Sequence, residues 1–515
     1  LAFLQKWGLG GCLADDMGLG KCVSPETMIF LNGNLRTAEA IWEQFTTETI
    51  EDGEGVWSQP SQSLWVNAIA HSSDKIVPAL ITRLYRQKVR EKLRKIRLQD
   101  GESITITQQH KLLTSEGWTN QLQVGDYVAV PAKYSWEGES VDLELVEFLA
   151  WQIAEGYEHH QEARLFISQK NTETLMRLYD IIHSLAKTYK IKINKPRINY
   201  EKCDLKNQNA VNRTPCLALC SKAYKIFLES QGYEWGKRSK DKVIPDLIMN
   251  ADLEGISCFL RNYFDAEGSV SETTGNIEIS SASFTLMKQL SVLLRRFGIW
   301  LRWHQKEKCA TNGTNIKRTY YIGNFSSNSA EKFRDYIGFD NENKQKKLET
   351  ICRRNRNTNV EGIPASNIVN KMLEVSQLPI RHFGMHNTVY LNNSQQFSRQ
   401  SLEKVVTYTG RILDGTSEQA YREKKKSRWT EKTLKAYAEL DKSKVGHYKE
   451  KIQKLLDQEV FYCRIESIEE IDYEGWVYDF EVADHHNFIA NNIICHNTIQ
   501  TIALLLHLKE KDELN

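Results

Sequence analysis

No apolar run in this 515-residue sequence approaches the ~20 residues that a membrane helix needs, and no secretory leader stands at its start. A surplus of charge is also missing. Lys and Arg total 68, Asp and Glu 66, for a net of +2. The chain as a whole therefore offers no polyanion-binding surface, and any nucleic-acid contact must be local. The ten cysteines lack the spacing of a disulfide framework, which points to a reducing, cytoplasmic setting. The closest three, Cys203, Cys216 and Cys220, have no fourth ligand at metal-site spacing, so no structural zinc is expected. An initiating Met is absent, and the last residues break off inside a helical pattern. The expectation is a piece of a longer protein, with two to four domains.

What is there begins with two flanks that fit each other. LADDMGLGK ends at Lys21, and TIQTIALLLHLKE starts at Thr498. With everything from Cys22 through Asn497 removed, they join as a glycine-rich loop running into an apolar helix. Gly18 and Gly20 let backbone N–H groups surround phosphates, Lys21 neutralises them, and Thr498 supplies the hydroxyl that holds Mg²⁺. Asp15 stands where a plain phosphate loop has its first Gly. The joined stretch resembles the nucleotide-binding motif of Swi/Snf-type superfamily 2 helicases, which implies a helicase-like host that binds ATP and Mg²⁺. In the unjoined chain the loop is broken, and no nucleotide binding is expected of it.

Residues 22–133 read as short alternating strands with turns, among them TMIFLNG, SITIT and VGDYVAV. The basic run Arg83–Arg97 fits either a nucleic-acid patch or a solvated strand face, and its alternation favours the second. CVSPETMIFLNG and TQQHKLLTSEGW resemble the first two blocks of inteins of the hedgehog/intein (HINT) fold, and WVYDFEVADHHNFIANNIICHN resembles the last two. The resemblance implies self-excision without any cofactor. Cys22 attacks the Lys21 carbonyl to form a thioester. Thr107 bonds the strained peptide, and His110 protonates the departing nitrogen. Asp479 positions Cys22 or shuttles its proton. The Thr498 hydroxyl takes over the N-terminal flank, Asn497 cyclises to break the chain, and His486 and His496 assist. His485 has no counterpart in the family and reads as structural.

At about residue 140 the texture changes to a tandem duplication. LVEFLAWQIAEGYE and CFLRNYFDAEGSV are both helical and end in Ala-Glu-Gly, and similar strand and helix patterns follow each. This resembles the two-motif LAGLIDADG (DOD-type) homing endonucleases found inside inteins. The resemblance implies two helices in close approach through Ala150 and Ala154, with Glu155 and Glu267 side by side on Mg²⁺ and Lys242, in KVIPDLI, at the family's catalytic Lys. Its partner would be double-stranded DNA, the intein-less host gene, read by β-ribbons around 190–220 and 299–322 that include Arg302, Lys306, Lys308, Lys317 and Arg318. Trp151, Gln152 and Asn262 depart from the small residues of the motif, and both acids are Glu. Residues 346–455 read as helical, from QQFSRQSLEKVV and REKKKSRWTEKTLKAY, and serve either as a DNA-contacting subdomain or as a spacer.

The expected architecture is multidomain: an all-β HINT splicing domain interrupted by an α/β pseudo-twofold LAGLIDADG endonuclease domain plus a helical subdomain. The boundaries are 1–21 for the first host flank, 22–136 for the first HINT part, 141–345 for the endonuclease, 346–455 for the helical segment, 456–497 for the second HINT part and 498–515 for the second flank. A monomer without membrane contact is expected. Three alternatives stay open: an intein with a decayed endonuclease, a helicase-like ATPase with a permanent insertion, and a hedgehog-type domain that cleaves without joining. The terminal Asn497 and Thr498 argue against the last.

Overall fold

The structure, a computed structural model, describes residues 21–51, 55–159, 161–199, 214–309, 317–354, 361–392, 395–423 and 428–497. The candidate residues Gly18, Gly20 and Thr498, and with them most of both flanks, lie outside the described residues. The chain divides into two compact units. One comprises Leu1–Ile29, Arg36–Pro131 and Asn357–Asn515, and the other Phe30–Leu35 and Ala132–Arg356.

The first unit is organised by two 23-residue strands, Ile76–Leu98 and Val460–Val482, which pair antiparallel along almost their whole length. Their charges are complementary. Arg83 lies opposite Glu481, Arg90 opposite Glu474, Lys92 opposite Asp472, Arg94 opposite Glu470 and Lys95 opposite Glu469. Ion pairs join Arg83 to Glu481 at 3.5 Å, Arg90 to Glu474 at 3.6 Å and Lys92 to Glu470 at 3.1 Å. The basic run is thus a neutralised sheet face, which answers against the nucleic-acid patch. Exposed pairs of this kind contribute at most about 1 kcal/mol each. Their larger effect is on register, because a slip by one residue would send every side chain to the wrong face. The buried side of the ribbon carries Tyr85, Val89, Leu93 and Val477, packed together with Cys22.

One antiparallel sheet of 13 strands grows from this ribbon. Tyr127–Pro131 pairs with the start of Val460–Val482, so that Pro131 faces Val460. The closing hairpin, Asn487–Ala490 with Ile493–His496, turns on Asn491 and Asn492, both at positive φ (46° and 59°). Two such residues in succession suit the right-handed twist of a two-residue hairpin, and Asn tolerates that region better than most residues. Asn491 accepts from the Met28 N–H at 2.9 Å and donates to the Ser103 carbonyl, while Asn492 donates to Glu102 Oε1 at 2.7 Å. This turn anchors the strand that ends in His496.

Helices Ser366–Ser376, Arg399–Leu413, Thr416–Arg422, Arg428–Ala438 and Lys442–Asp457 also belong to the first unit, whereas Glu342–Cys352 belongs to the second. The stretch 346–455, read from sequence as one segment, is therefore divided. Its helices at Ser366–Ser376 and Lys442–Asp457 were not marked out by the sequence. Their lysine-rich or Asn-containing turns obscure a narrow apolar stripe of Ile368, Val369 and Met372 in one and Val445, Ile452 and Leu455 in the other.

The second unit is a duplication, as the sequence indicated. Helix Leu143–Glu155 is followed by a sheet in the order Gly156–Glu158, Arg164–Ser168, Cys216–Cys220, Arg197–Asn199. Helix Leu253–Glu267 is followed by Ser269–Ser271, Asn276–Ser281, Lys317–Ser326, Arg302–Cys309 in the same order. Each helix begins at an Asp-Leu-Glu whose Asp (Asp142 or Asp252) accepts first-turn N–H groups. Each ends at a Gly where a Cβ would meet a carbonyl one turn back, at 2.2 Å for Gly156 and 2.6 Å for Gly268. Cysteine pairing departs from expectation at one point: Cys216 is disulfide-bonded, while Cys22, Cys220, Cys258, Cys352, Cys463 and Cys495 are free.

The ribbon yields a first prediction. Leu93→Ala should lower stability by about 2–5 kcal/mol, as for other fully buried leucines, while Arg90→Ala at the exposed ladder should cost no more than about 1 kcal/mol. Urea midpoints of the two variants check this; equal effects would contradict the packing described here.

Candidate functional site

The first unit gathers the chain's two distant ends on one strand. Val23 exchanges both main-chain bonds with Tyr478, at 2.8 and 2.9 Å, so Cys22 lies opposite Asp479. Two residues along, the Phe480 carbonyl accepts a bond from Asn497 Nδ2 at 2.9 Å. Asp479 therefore sits opposite Cys22, between the strand positions that receive Val23 and Asn497. All three side chains are buried.

Around Cys22 the backbone is held tightly. Its N–H, the nitrogen of the Lys21–Cys22 peptide, donates to Thr107 Oγ1 at 2.9 Å, and the Thr107 N–H donates back to the Cys22 carbonyl at 3.1 Å. Burial raises the Cys22 thiol well above its ordinary value, and the charges of Asp479 and Glu91 add to this. Burial also raises Asp479 well above the carboxylate range, although the Phe480 N–H and the Lys21 cation pull the other way. His110 is wholly buried, and among the described residues its ring nitrogens have no hydrogen bond of ordinary geometry. Burial, His496, Lys21 and Arg94 push it down to about 3, opposed only by the Lys21 backbone. Burial thus favours the neutral imidazole, with one ring N–H, facing Lys21.

On the C-terminal side, the Asn497 N–H donates to the His486 carbonyl at 2.9 Å, and the His496 N–H donates to the Lys111 carbonyl at 3.1 Å. His486 adopts a positive φ of 53° and packs its ring 5.7 Å from His71. His496 meets Trp118 edge-on at 4.9 Å. Asn487 fixes this corner by bonding both the N–H and the carbonyl of Ile69. Cys22, Thr107, His110, Asp479, His486, His496 and Asn497 are thus brought together. Sequence reasoning missed Trp118, Arg94 and His71. Trp118 lay at the end of the block TQQHKLLTSEGW, and Arg94 was hidden among the seven other basic residues of its strand.

The second unit holds a separate site at the C-terminal ends of its paired helices. Glu155 and Glu267 sense each other there. Burial and then the Glu155 charge raise Glu267 to about 7, and Glu155 is raised by burial. Lys242 Nζ donates to the Ile153 and Gly156 carbonyls at 2.6 and 2.9 Å, closing the end of the first helix. Lys344, missed by the sequence reading, does the same for the second helix at the Phe264 and Asp265 carbonyls, at 3.1 and 2.7 Å. Both lysines are lowered by burial and held up by the nearby glutamates. The departures from the motif compensate one another. Trp151 Nε1 donates to Asn262 Oδ1 at 3.0 Å across the helix pair, and Gln152 bridges Glu158 and Tyr224. In the second half-sheet, Arg302, Lys306 and Arg318 share one face of the Arg302–Cys309 and Lys317–Ser326 ribbon, while the Lys308 side chain lies outside those described. Lys317 falls on the opposite face, so the candidate cations do not act as one row.

The family model described as the intein splicing domain matches residues 29–497. A probable translation initiation factor IF-2 of Thermococcus kodakarensis is 25% identical over 511 residues, covering 81% of this chain and 43% of that protein. A replication factor C small subunit of Methanocaldococcus jannaschii is 28% identical over 354 residues, covering 67% of this chain and 17% of that protein. The replicative DNA helicase DnaB of Synechocystis is 24% identical, covering 80% of this chain and 44% of that protein. The chain thus spans less than half the length of these relatives. Among solved structures, a mesophilic variant of the homing endonuclease I-DmoI is similar at 16% identity and a TM-score of 0.27, over 38% of this chain and 88% of that chain. The PabCDC21-1 intein is similar at 18% identity and a TM-score of 0.20, over 22% and 75%. With the family model spanning the unit that joins Cys22 to Asn497, the chain belongs to the intein splicing-domain family.

Proposed function

We propose that the chain excises residues 22–497 and joins Lys21 to Thr498. The observation that carries this is the placement of Cys22 opposite Asp479 and of Asn497 on the next residue, Phe480, of one strand. In the first step the Cys22 sulfur bonds to the Lys21 carbonyl carbon and the Lys21–Cys22 C–N bond breaks. Net, one proton moves from sulfur to the Cys22 nitrogen. Asp479, opposite Cys22 and favoured in its neutral form by burial, lies where it can relay that proton by giving its own to the nitrogen as it takes one from sulfur. Thr107 already accepts from the nitrogen that departs, and neutral His110 polarises the Lys21 backbone. The Thr498 hydroxyl then attacks the thioester, releasing the Cys22 thiol and leaving Lys21 as an ester on the Thr498 oxygen; once the chain is cut after Asn497, that acyl group shifts to the freed Thr498 nitrogen as a peptide bond. Asn497 Nδ2 closes on its own carbonyl, and the Phe480 carbonyl supplies an acceptor for an Nδ2 proton. His496 and His486 flank that peptide as donor and base. The named relatives support a passenger role: their titles share no activity, yet each contains a stretch similar to this chain.

In the second unit we infer a DNA endonuclease that cuts the intein-less gene. Glu155 and Glu267 fit a hard divalent cation such as Mg²⁺. They are two converging carboxylates, one kept half-protonated near neutrality without a cation, and water and phosphate oxygens would complete the shell. When bound, the cation supplies Lewis acidity for phosphodiester hydrolysis. Lys242 and Lys344 fix the helix ends and offset the acids. The joined flanks, with Gly18, Gly20, Lys21 and Thr498, are read as an ATP site of a helicase-like host.

Mass spectrometry of the expressed chain should show the excised segment and the joined flanks. Cys22→Ala should abolish thiol-induced cleavage after Lys21, and Asn497→Ala should abolish cleavage after residue 497. Joined flanks from the Cys22→Ala chain would contradict the mechanism. For the acid pair, Glu155→Gln should lower Glu267 from about 7 toward its ordinary value without reaching it, because burial remains. A carboxyl held above its unfolded value favours the folded state less as pH rises through about 4.5 to 7. Glu267→Gln should therefore flatten the fall in melting temperature between pH 5 and pH 8. Carbon NMR of the glutamates and melting at the two pH values test both; an unmoved Glu267 titration in Glu155→Gln would show that the two acids do not interact.

A further inference from the structure

Arg94 is a buried cation that the chemistry above leaves unused. It sits within strand Ile76–Leu98 at 8% exposure. Its guanidinium spans two main-chain carbonyls. Nη1 donates to Asn120 at 2.6 Å and Nη2 donates to His110 at 3.2 Å. Nε has no partner among the described residues, and the acid opposite it on the neighbouring strand is Glu470.

The two acceptors bracket one segment, 110–120, and that segment serves both junctions. Its first residue is His110, which faces Lys21. The Lys111 carbonyl accepts from the His496 N–H, Leu112 lies in register with Cys495, and Trp118 packs on the His496 ring. Tying the segment at its two ends fixes all of these together.

We propose that Arg94 is the positioning residue for both cleavage steps, clamping segment 110–120 so that His110 is held at the Lys21–Cys22 peptide and Trp118 and Lys111 at His496. The proposal rests on the splicing reading and adds a residue to it. An apolar side chain would fill the space without the desolvation cost of a guanidinium. What Arg alone provides is a planar fork that bonds two carbonyls at once, and Lys, with a point charge, does not reproduce it. The Arg94 cation has a second effect. With His496 and Lys21, the other charged or titratable groups facing His110, it disfavours protonation of the imidazole.

The test separates the two steps. An Asn497→Ala background reports thiol-induced cleavage after Lys21, and a Cys22→Ala background reports cleavage after Asn497. Arg94→Lys and Arg94→Met are placed in each, with folding followed by near-UV circular dichroism and His110 titrated by NMR of 15N-labelled histidine. Arg94→Lys should slow both cleavages at least tenfold while leaving His110 low. Folded Arg94→Met should slow both at least as much and raise the His110 titration. If Arg94→Met fails to fold, Arg94→Lys decides: rates within twofold of parent at both junctions overturn the proposal. So does slowing at one junction alone, or a folded Arg94→Met whose His110 titration is unmoved. Backgrounds that, with Arg94 intact, cleave at neither junction would sink the splicing reading itself, and this inference with it.

Discussion

The pairing of Ile76–Leu98 with Val460–Val482 is the constraint on which the rest depends. It joins segments separated by most of the chain. The entropic cost of closing so long a loop grows only logarithmically with its length, so a long two-stranded contact with a buried face can offset it. Register is what makes the contact useful. Val23 lands on Tyr478 and Asn497 on Phe480, so the ends of the excisable segment meet only if Asp479 points inward between them. A slip of one residue would turn Asp479 outward and bring Glu91 opposite an acid, Asp472 or Glu474. The bulge between Glu481 and Val482 falls just beyond the site and leaves this alignment intact.

The two units differ in what offsets burial. In the splicing unit, burial drives three groups to their neutral forms: Cys22 and Asp479 upward, His110 downward. A separated ion pair would be costly there, so bond exchange is best accompanied by proton transfer between neighbours. In the duplicated unit burial also raises the glutamates and lowers the lysines, but neighbouring opposite charges offset part of it. Glu155, Glu267, Lys242 and Lys344 converge at two helix ends, and each lysine meets carbonyls that carry the partial negative charge of a helix C-terminus. The first arrangement suits acyl exchange without metal, and the second suits recruitment of a cation.

Much of this was legible in the sequence because its signals are local. The blocks around Cys22, Thr107, His110 and 476–497 carry their turn residues and strand alternation with them, and the Ala-Glu-Gly endings betray the duplication. Other features depend on partners far along the chain. Arg94 looked like one member of a solvated run, since nothing local distinguishes a buried guanidinium from exposed ones. Lys344 escaped notice because the repeat spacing drifts: the second helix has 15 residues against 13 in the first. Trp151 and Asn262 each looked like a defect and form one hydrogen bond together. The helices within 366–457 alternate apolar and charged residues too sparsely for a short pattern to mark their ends.

The register also accounts for how one chain can carry two activities. Pro131 and Val460 face each other on paired strands, so the splicing sheet is left and re-entered at neighbouring points. Any inserted polypeptide whose own ends lie close together satisfies that geometry. Among the described residues, the splicing site takes no side chain from Ala132–Arg356, and the acid pair takes none from outside it. Substitutions in one site therefore need no compensation in the other, and each can drift or decay alone. The Trp151–Asn262 bond illustrates the consequence: its two departures were accommodated entirely within the duplicated unit, by a contact that the splicing sheet neither sees nor requires.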